Sequence, residues 1–86
     1  MKSENRQQLA KQIYEFAKQA LEKGLKDAKK YSIPESLIRS DCKQIRTIAR
    51  LVRIQGVDSA YRYAQGLDTA VRDMIPDTIW DQLEEG

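Results

Sequence analysis

The spacing of apolar residues in the middle of the chain constrains the fold most strongly. They recur at steps of four, three, four and three residues, and an α-helix turns about 100° per residue, so they share one helical face. No stretch alternates apolar and polar residues as a half-buried strand does. The pattern therefore predicts an all-α protein. The residues that carry it are Ile38, Cys42, Ile45, Ala49 and Val52.

Similar spacing near the N-terminus predicts a first helix from about residue 4 to about residue 30, with Ser3 as its N-cap. A glycine inside a helix costs about 1 kcal/mol relative to alanine, and Gly24 is such a residue. The apolar stripe continues beyond Gly24, so we expect one continuous helix. The stripe consists of Leu9, Ile13, Phe16, Ala17, Ala20, Leu21, Leu25 and Ala28.

A second helix is predicted after the segment that contains Pro34. Ser32 and Glu35 have the spacing of a capping box, and proline is tolerated in the first turn of a helix. Gly56 is a suitable stop signal for this helix. A fresh start at Asp41 is the alternative for its first half.

A third helix is predicted from Asp58, as its N-cap, to just before Pro76, with Gly66 weakening its middle. Asp77 is then expected to cap a short last helix. The predicted inner face of the third helix is Ala60, Ala64, Leu67, Val71 and Met74, and that of the last is Ile79, Trp80 and Leu83. Short loops favour a compact bundle or orthogonal array of about four helices, and residues 1–86 form one domain.

Charge is distributed unevenly, although the net charge is only +2. Residues 1–56 carry thirteen Lys and Arg against six acidic residues, whereas residues 57–86 carry two against seven. One end of the molecule is therefore expected to meet an anionic partner, or the two ends are expected to meet across copies. Solvated helix faces without a partner are the alternative.

A row of five basic residues on the second helix is the strongest functional signal. Each lies one position after a residue of the apolar stripe, so the row repeats the same four-three spacing. The row therefore flanks the buried face and spans roughly 21 Å of helix. Rows of Arg and Lys attract nucleic-acid phosphates, and arginine also stacks on bases. We call these residues the basic row: Arg39, Lys43, Arg46, Arg50 and Arg53.

Arg62 lies between two aromatic residues, Tyr61 and Tyr63. Basic and aromatic side chains together are common platforms for single strands, so Arg62 is a predicted contact and the tyrosines are predicted stacking residues. Basic residues beside a core stripe also lay their methylene groups over it and pair with acids. The acidic C-terminal third is a possible source of such acids.

Catalytic chemistry is not indicated. The chain has no histidine, the commonest general base and a common metal ligand. Cys42 lies on the apolar stripe and is expected to be a core residue. We expect no enzyme activity, no cofactor, no metal and no small-molecule substrate. No apolar run approaches the ~18 residues of a membrane span, and a cytoplasmic protein without membrane contact is expected.

The second and third helices resemble a helix-turn-helix, which implies a DNA-binding regulator. The residues at its packing positions and its turn are Ile48, Ala49, Val52, Gly56, Val57 and Ser59. Val52 departs from the motif, which prefers a small residue where the helices cross.

Residues 46–64, RTIARLVRIQGVDSAYRYA, also resemble the small subunits of CRISPR effector complexes (Cas11-like proteins). Helical bundles of that family often carry a basic helix, a glycine turn and a helix rich in alanine and aromatic residues. The resemblance implies copies stacked head to tail, with basic faces that guide RNA or displaced DNA in antiviral defence.

Three functions follow as hypotheses. The first is a non-catalytic subunit of a nucleoprotein assembly that contacts nucleic-acid backbone, without reading sequence, through the basic row. The second is a protein–protein interaction module, such as a small regulator or inhibitor that binds an acidic partner. The third is a helix-turn-helix regulator.

Overall fold

The computed structural model describes the backbone of residues 3–85 and the side chains of residues 5–85. The predicted cap at Ser3 depends on a side chain outside that part. Within it the chain forms helices and no strand, which confirms the all-α prediction. Residues 3–85 form five helices: α1 (Ser3–Tyr31), α2 (Glu35–Ile54), α3 (Val57–Gln65), α4 (Thr69–Met74) and α5 (Asp77–Glu85).

The hairpin of α1 and α2 is the frame of the molecule. Twenty-nine residues of α-helix are about 43 Å long, and the longest extent of the molecule is 43 Å, so α1 runs from one end to the other. It continues through Gly24, as predicted. The second helix is also continuous through Asp41, so the alternative start there is wrong.

The turn between α1 and α2 differs from the predicted capping box. Ser32 has a φ of +57°, and the Ile33 N–H donates to the Ala28 carbonyl oxygen at 2.9 Å. This is the geometry of a Schellman motif, in which a left-handed residue ends a helix. Ser32 therefore ends α1 and does not cap α2. The N-cap position of α2 is Pro34, which makes no side-chain capping bond.

The predicted third helix is in fact two helices, α3 and α4, separated by residues 66–68. The Gly66 N–H bonds to the carbonyl oxygens of both Arg62 and Tyr63, at 3.3 and 3.1 Å, so the last turn of α3 tightens and ends there. Asp68 then takes the N-cap position of α4. Asp68 makes no side-chain capping bond, so the glycine is the main signal for the break, and it outweighed the continuous apolar spacing.

Two further cap predictions are wrong in detail. Gly56, with a φ of +110°, occupies the N-cap position of α3, and Asp58 lies in the first turn. Asp77 is the first residue of α5 and not its cap. Both carboxylates still lie in the first turn of a helix, where the helix dipole favours negative charge. This explains why acidic residues occur at these two positions without acting as caps.

The core lies between the α1–α2 hairpin and the three short helices. Its most deeply buried side chains include Leu9, Ile13, Ile45, Ile48, Val52, Val71 and Leu83. On the covered side, the Gln82 amide of α5 donates to Gln12 Oε1 at 3.1 Å, and Met74 of α4 lines a groove with Phe16 and Ala20. The short helices thus cover one side of the hairpin. No helix within residues 3–85 is long and apolar enough to cross a bilayer.

Candidate nucleic-acid interface

All five side chains of the basic row are exposed, while the five residues of the apolar stripe that directly precede them are buried or half-buried. Cys42 and Ile45 are buried at the contact with α1, and Lys43 and Arg46 follow them directly. Side-chain hydrogen bonds within residues 5–85 have their donors outside the row. The guanidinium and ammonium groups of the row therefore face solvent along one flank of α2.

The acidic C-terminal helix lies on the other side of the hairpin from the basic row. Most contacts of α5 are with α3 and α1. Glu84 accepts a hydrogen bond from the Tyr61 hydroxyl at 3.4 Å, and Gln82 reaches Gln12 on the covered side. Pairing between α5 and the row of the same molecule would require α5 to leave this position.

Two residues of α1 lie on the same side as the row. In a pair of antiparallel helices, the residue after each contact residue rotates towards the same edge of the interface, because the two helices run in opposite senses. Tyr14 and Lys18 of α1 directly follow the buried residues Ile13 and Ala17. They therefore share an edge with Lys43 and Arg46 of α2.

These residues line a groove between α1 and α2, which we call the basic groove. It consists of two depressions of about 290 and 460 Å³ that share Leu21 and Arg46. Four cationic side chains line it, and no carboxylate does. The lining residues are Tyr14, Ala17, Lys18, Leu21, Ser36, Arg39, Ser40, Cys42, Lys43 and Arg46.

Cys42 belongs to the floor of the groove and has a relative exposure of 1%. Burial raises the pKa of its thiol, the neighbouring Asp41 carboxylate raises it further, and Arg46 opposes the shift. The thiolate is thus disfavoured, and Cys42 is a neutral, apolar side chain packed beneath the groove.

The predicted contacts on α3 do not form one platform. Consecutive helical residues are about 100° apart, so Tyr61 and Tyr63 lie on opposite flanks of α3 with Arg62 exposed between them. The Tyr61 ring meets Trp80 edge to face, with 6.0 Å between centroids and 83° between planes. Tyr61 therefore helps to attach α5, and Tyr63 is also half-buried against the core.

Tyr14 and Lys18 were not among the residues predicted from the sequence. The signal that could have found them is their register, since each follows a residue of the α1 stripe by one position, as the basic row does on α2. That register carries meaning only once α1 and α2 are known to be antiparallel neighbours.

The residues of the helix-turn-helix resemblance lie at the α2–α3 junction. Ala49, Val52 and Val57 are buried there, and Gly56 forms the turn. The outward face of the nine-residue α3 carries Asp58 and Arg62.

Within residues 5–85, no three His, Cys, Asp or Glu side chains are grouped so that they could hold a metal ion. No model of a protein family, no curated protein and no solved structure matches the chain. The chemistry of the site is therefore the basis for a functional assignment.

Proposed function

We propose that this protein is a non-catalytic helical subunit that binds nucleic-acid backbone through the basic row. The observation that supports the proposal most is the exposure of all five cations along roughly 21 Å of one helix flank, beside a groove without carboxylates. Phosphates repeat along a strand, and each one neutralised by Lys or Arg releases condensed counterions. A linear row of cations suits such a ligand.

Stabilisation of the fold is a weaker explanation for the row. An exposed ion pair contributes about 0–1 kcal/mol, and the side-chain hydrogen bonds of residues 5–85 do not originate from these five residues. Five like charges on one flank also repel one another. A bound anion such as a phosphate chain would offset this repulsion, so the row is better explained by binding than by stabilisation of the fold.

Binding to oligonucleotides at several salt concentrations tests the proposal. Five phosphate contacts to a single strand predict that log K falls with log salt with a slope of about −3.5. Arg46→Glu/Arg50→Glu is expected to abolish binding at low salt. The matched control is Lys23→Glu/Lys26→Glu, which makes the same charge change at exposed positions of α1, with Lys23 in the groove of the covered side.

Three outcomes would contradict the proposal. They are no binding to single-stranded or duplex nucleic acid at low salt, equal loss of binding in both charge-reversal variants, and a slope near zero. The second would mean that net charge alone attracts the ligand, because only the first variant changes the row.

The alternative functions predict different results in the same titration. A module for an acidic protein predicts that polyglutamate competes as well as an oligonucleotide of equal charge. A helix-turn-helix regulator predicts preference for one duplex sequence and sensitivity to Arg62→Ala. The resemblance to CRISPR effector small subunits further predicts self-association that weakens with salt, which sedimentation velocity measures.

A further inference from the structure

We infer that the ligand of the basic groove is single-stranded nucleic acid, with at least one base inserted between α1 and α2. The inference rests on the proposed function and deepens it, since contacts to phosphate alone do not distinguish a single strand from a duplex. It makes the groove a base-binding site and the basic row its phosphate-binding edge.

The smaller and more enclosed depression has the composition of a base site. It is lined by Tyr14, Ala17, Leu21 and Cys42, with Lys18 and Arg46 also in its wall. Its volume is about 290 Å³. Ala17 and Cys42 are each 1% exposed and form its closed base. The half-buried Tyr14 ring and Leu21 side chain offer the surface on which a flat base stacks, and arginine stacks on bases as well.

The position of the charges complements an inserted base. Lys18 of α1 lies on one side of the groove and Arg46 of α2 lies on the other. The second depression adds Arg39 and Lys43 on the α2 side. A base in the groove thus leaves its flanking phosphates beside cations. An acidic peptide would use the cations equally well, but it has no need of an apolar floor.

A duplex cannot use the groove in this way. Its bases are stacked and paired inside the helix, and their extraction costs a few kcal/mol per nucleotide. A single strand has unstacked bases that aromatic side chains can bind. The groove therefore selects a single strand, whereas the exposed Arg50 and Arg53 would contact the backbone of either form.

An oligonucleotide without bases separates this inference from the proposed function. The probes are a thymidine oligonucleotide of about twelve residues, an abasic deoxyribose-phosphate chain of equal length and a duplex of the same length. Base–aromatic stacking predicts that the thymidine chain binds the wild-type protein about five- to a hundredfold more tightly than the abasic chain. The fluorescence of a 2-aminopurine placed within the strand is expected to fall on binding.

Removing the aromatic ring provides the second test. Tyr14→Leu keeps an apolar side chain in the groove but removes the stacking surface, so the ratio of the affinities for the thymidine and abasic chains is expected to fall. Phe16→Leu is the matched control, because Phe16 lies on the same helix but lines the groove on the covered side. An equal ratio in the wild-type protein and Tyr14→Leu would overturn base insertion at this groove.

The outcomes are distinguishable. Equal affinity of the wild-type protein for thymidine and abasic chains would overturn base insertion and leave backbone binding intact, as would tighter binding of the duplex. If none of the three probes binds at low salt, the proposed function and the groove site are both wrong. Circular dichroism of both leucine variants shows whether either has lost its helices.

Discussion

Gly24 of α1 lies directly against Ile38 of α2. A Cβ built on Gly24 would be 2.6 Å from Ile38 Cγ2, which is closer than real Cβ contacts allow. The Ile38 methyl is attached to a β-branched carbon with few rotamers, so it cannot easily turn away. This contact sets how closely the two helices approach near the turn of the hairpin.

Gly24→Ala is therefore expected to destabilise the protein by about 1–3 kcal/mol, although alanine is the better helix former by about 1 kcal/mol. Urea denaturation followed by circular dichroism measures the change. Gly66→Ala is the matched control, since a Cβ at Gly66 would be 3.5 Å from its nearest neighbour, an ordinary contact.

The Gly24 effect should depend on Ile38. In a double-mutant cycle with Ile38→Ala, which removes the obstructing methyl, the cost of Gly24→Ala is expected to shrink or change sign. If the single variant Gly24→Ala were more stable than the wild-type protein, α1 and α2 would move apart without cost, and the proposed role of the contact would be wrong.

Gly56→Ala is expected to cost about 1–3 kcal/mol for a different reason. The nearest atom to a Cβ at Gly56 is Arg6 Nη1 at 3.6 Å, so space is available. The backbone, with a φ of 110° and a ψ of 174°, is in a region that is almost exclusive to glycine. Asparagine tolerates the left-handed helical region but not this one, so Gly56→Asn should be no better. Urea denaturation measures both, and rescue by asparagine would refute the assignment.

Trp80 attaches α5 to the rest of the protein. Its indole N–H donates to the Arg72 carbonyl oxygen at 3.4 Å, and its ring meets Tyr61. Trp80→Phe is expected to cost about 1 kcal/mol, and Trp80→Ala about 2–4 kcal/mol, in thermal denaturation. Tyr61→Phe should cost less than about 1 kcal/mol, because the bond from its hydroxyl to Glu84 is exposed and 3.4 Å long. A larger loss in Tyr61→Phe than in Trp80→Ala would contradict this order.

The raised pKa of the Cys42 thiol predicts a pH dependence. The folded protein keeps the thiol protonated, whereas the unfolded chain ionises as pH rises through its ordinary pKa of 9.0. Stability linked to Cys42 is thus fully present below that pH and is lost above it, towards the raised pKa of the folded state. Between pH 8 and pH 10 the wild-type protein should therefore lose more unfolding free energy than Cys42→Ala does. Iodoacetamide should label Cys42 at pH 8 much faster in urea than in buffer.

Lys18 is expected to behave as a member of the binding site although it belongs to α1. Lys18→Ala should weaken oligonucleotide binding and reduce the steepness of the salt dependence by roughly one phosphate contact, about 0.7 for a single strand. Lys26→Ala is the control at another exposed position of the same helix. Equal effects in the two variants would mean that the groove edge has no special role.

The register of the basic row could be predicted from the sequence because it is a local property. Arg46 follows Ile45 in any α-helix, and only the helical period is needed to place one outside when the other is buried. The fold class, the continuity of α1 through Gly24 and the burial of Cys42 follow from the same kind of pattern, and the structure confirms all three.

The groove and the helix ends could not be predicted in this way. The groove depends on which edges of α1 and α2 meet, and the position of Tyr61 depends on Trp80 of α5, which is distant in sequence. At Ser32 two local signals competed for one residue. The left-handed end of α1 prevailed because it satisfies backbone carbonyls that α1 would otherwise leave unpaired.

The long α1 also has a consequence for how the molecule opens. Residues 29–37, at the turn of the hairpin, are exposed throughout, and Tyr31 and Leu37 retain 63% and 56% of their exposure. Few buried contacts resist local opening there, so amide hydrogens at this end should exchange through small fluctuations, while those near Ala49 and Ala60 await global unfolding. The protein thus has high local stability where the short helices pack on the hairpin and low local stability at the hairpin turn, and α1 extends through both regions.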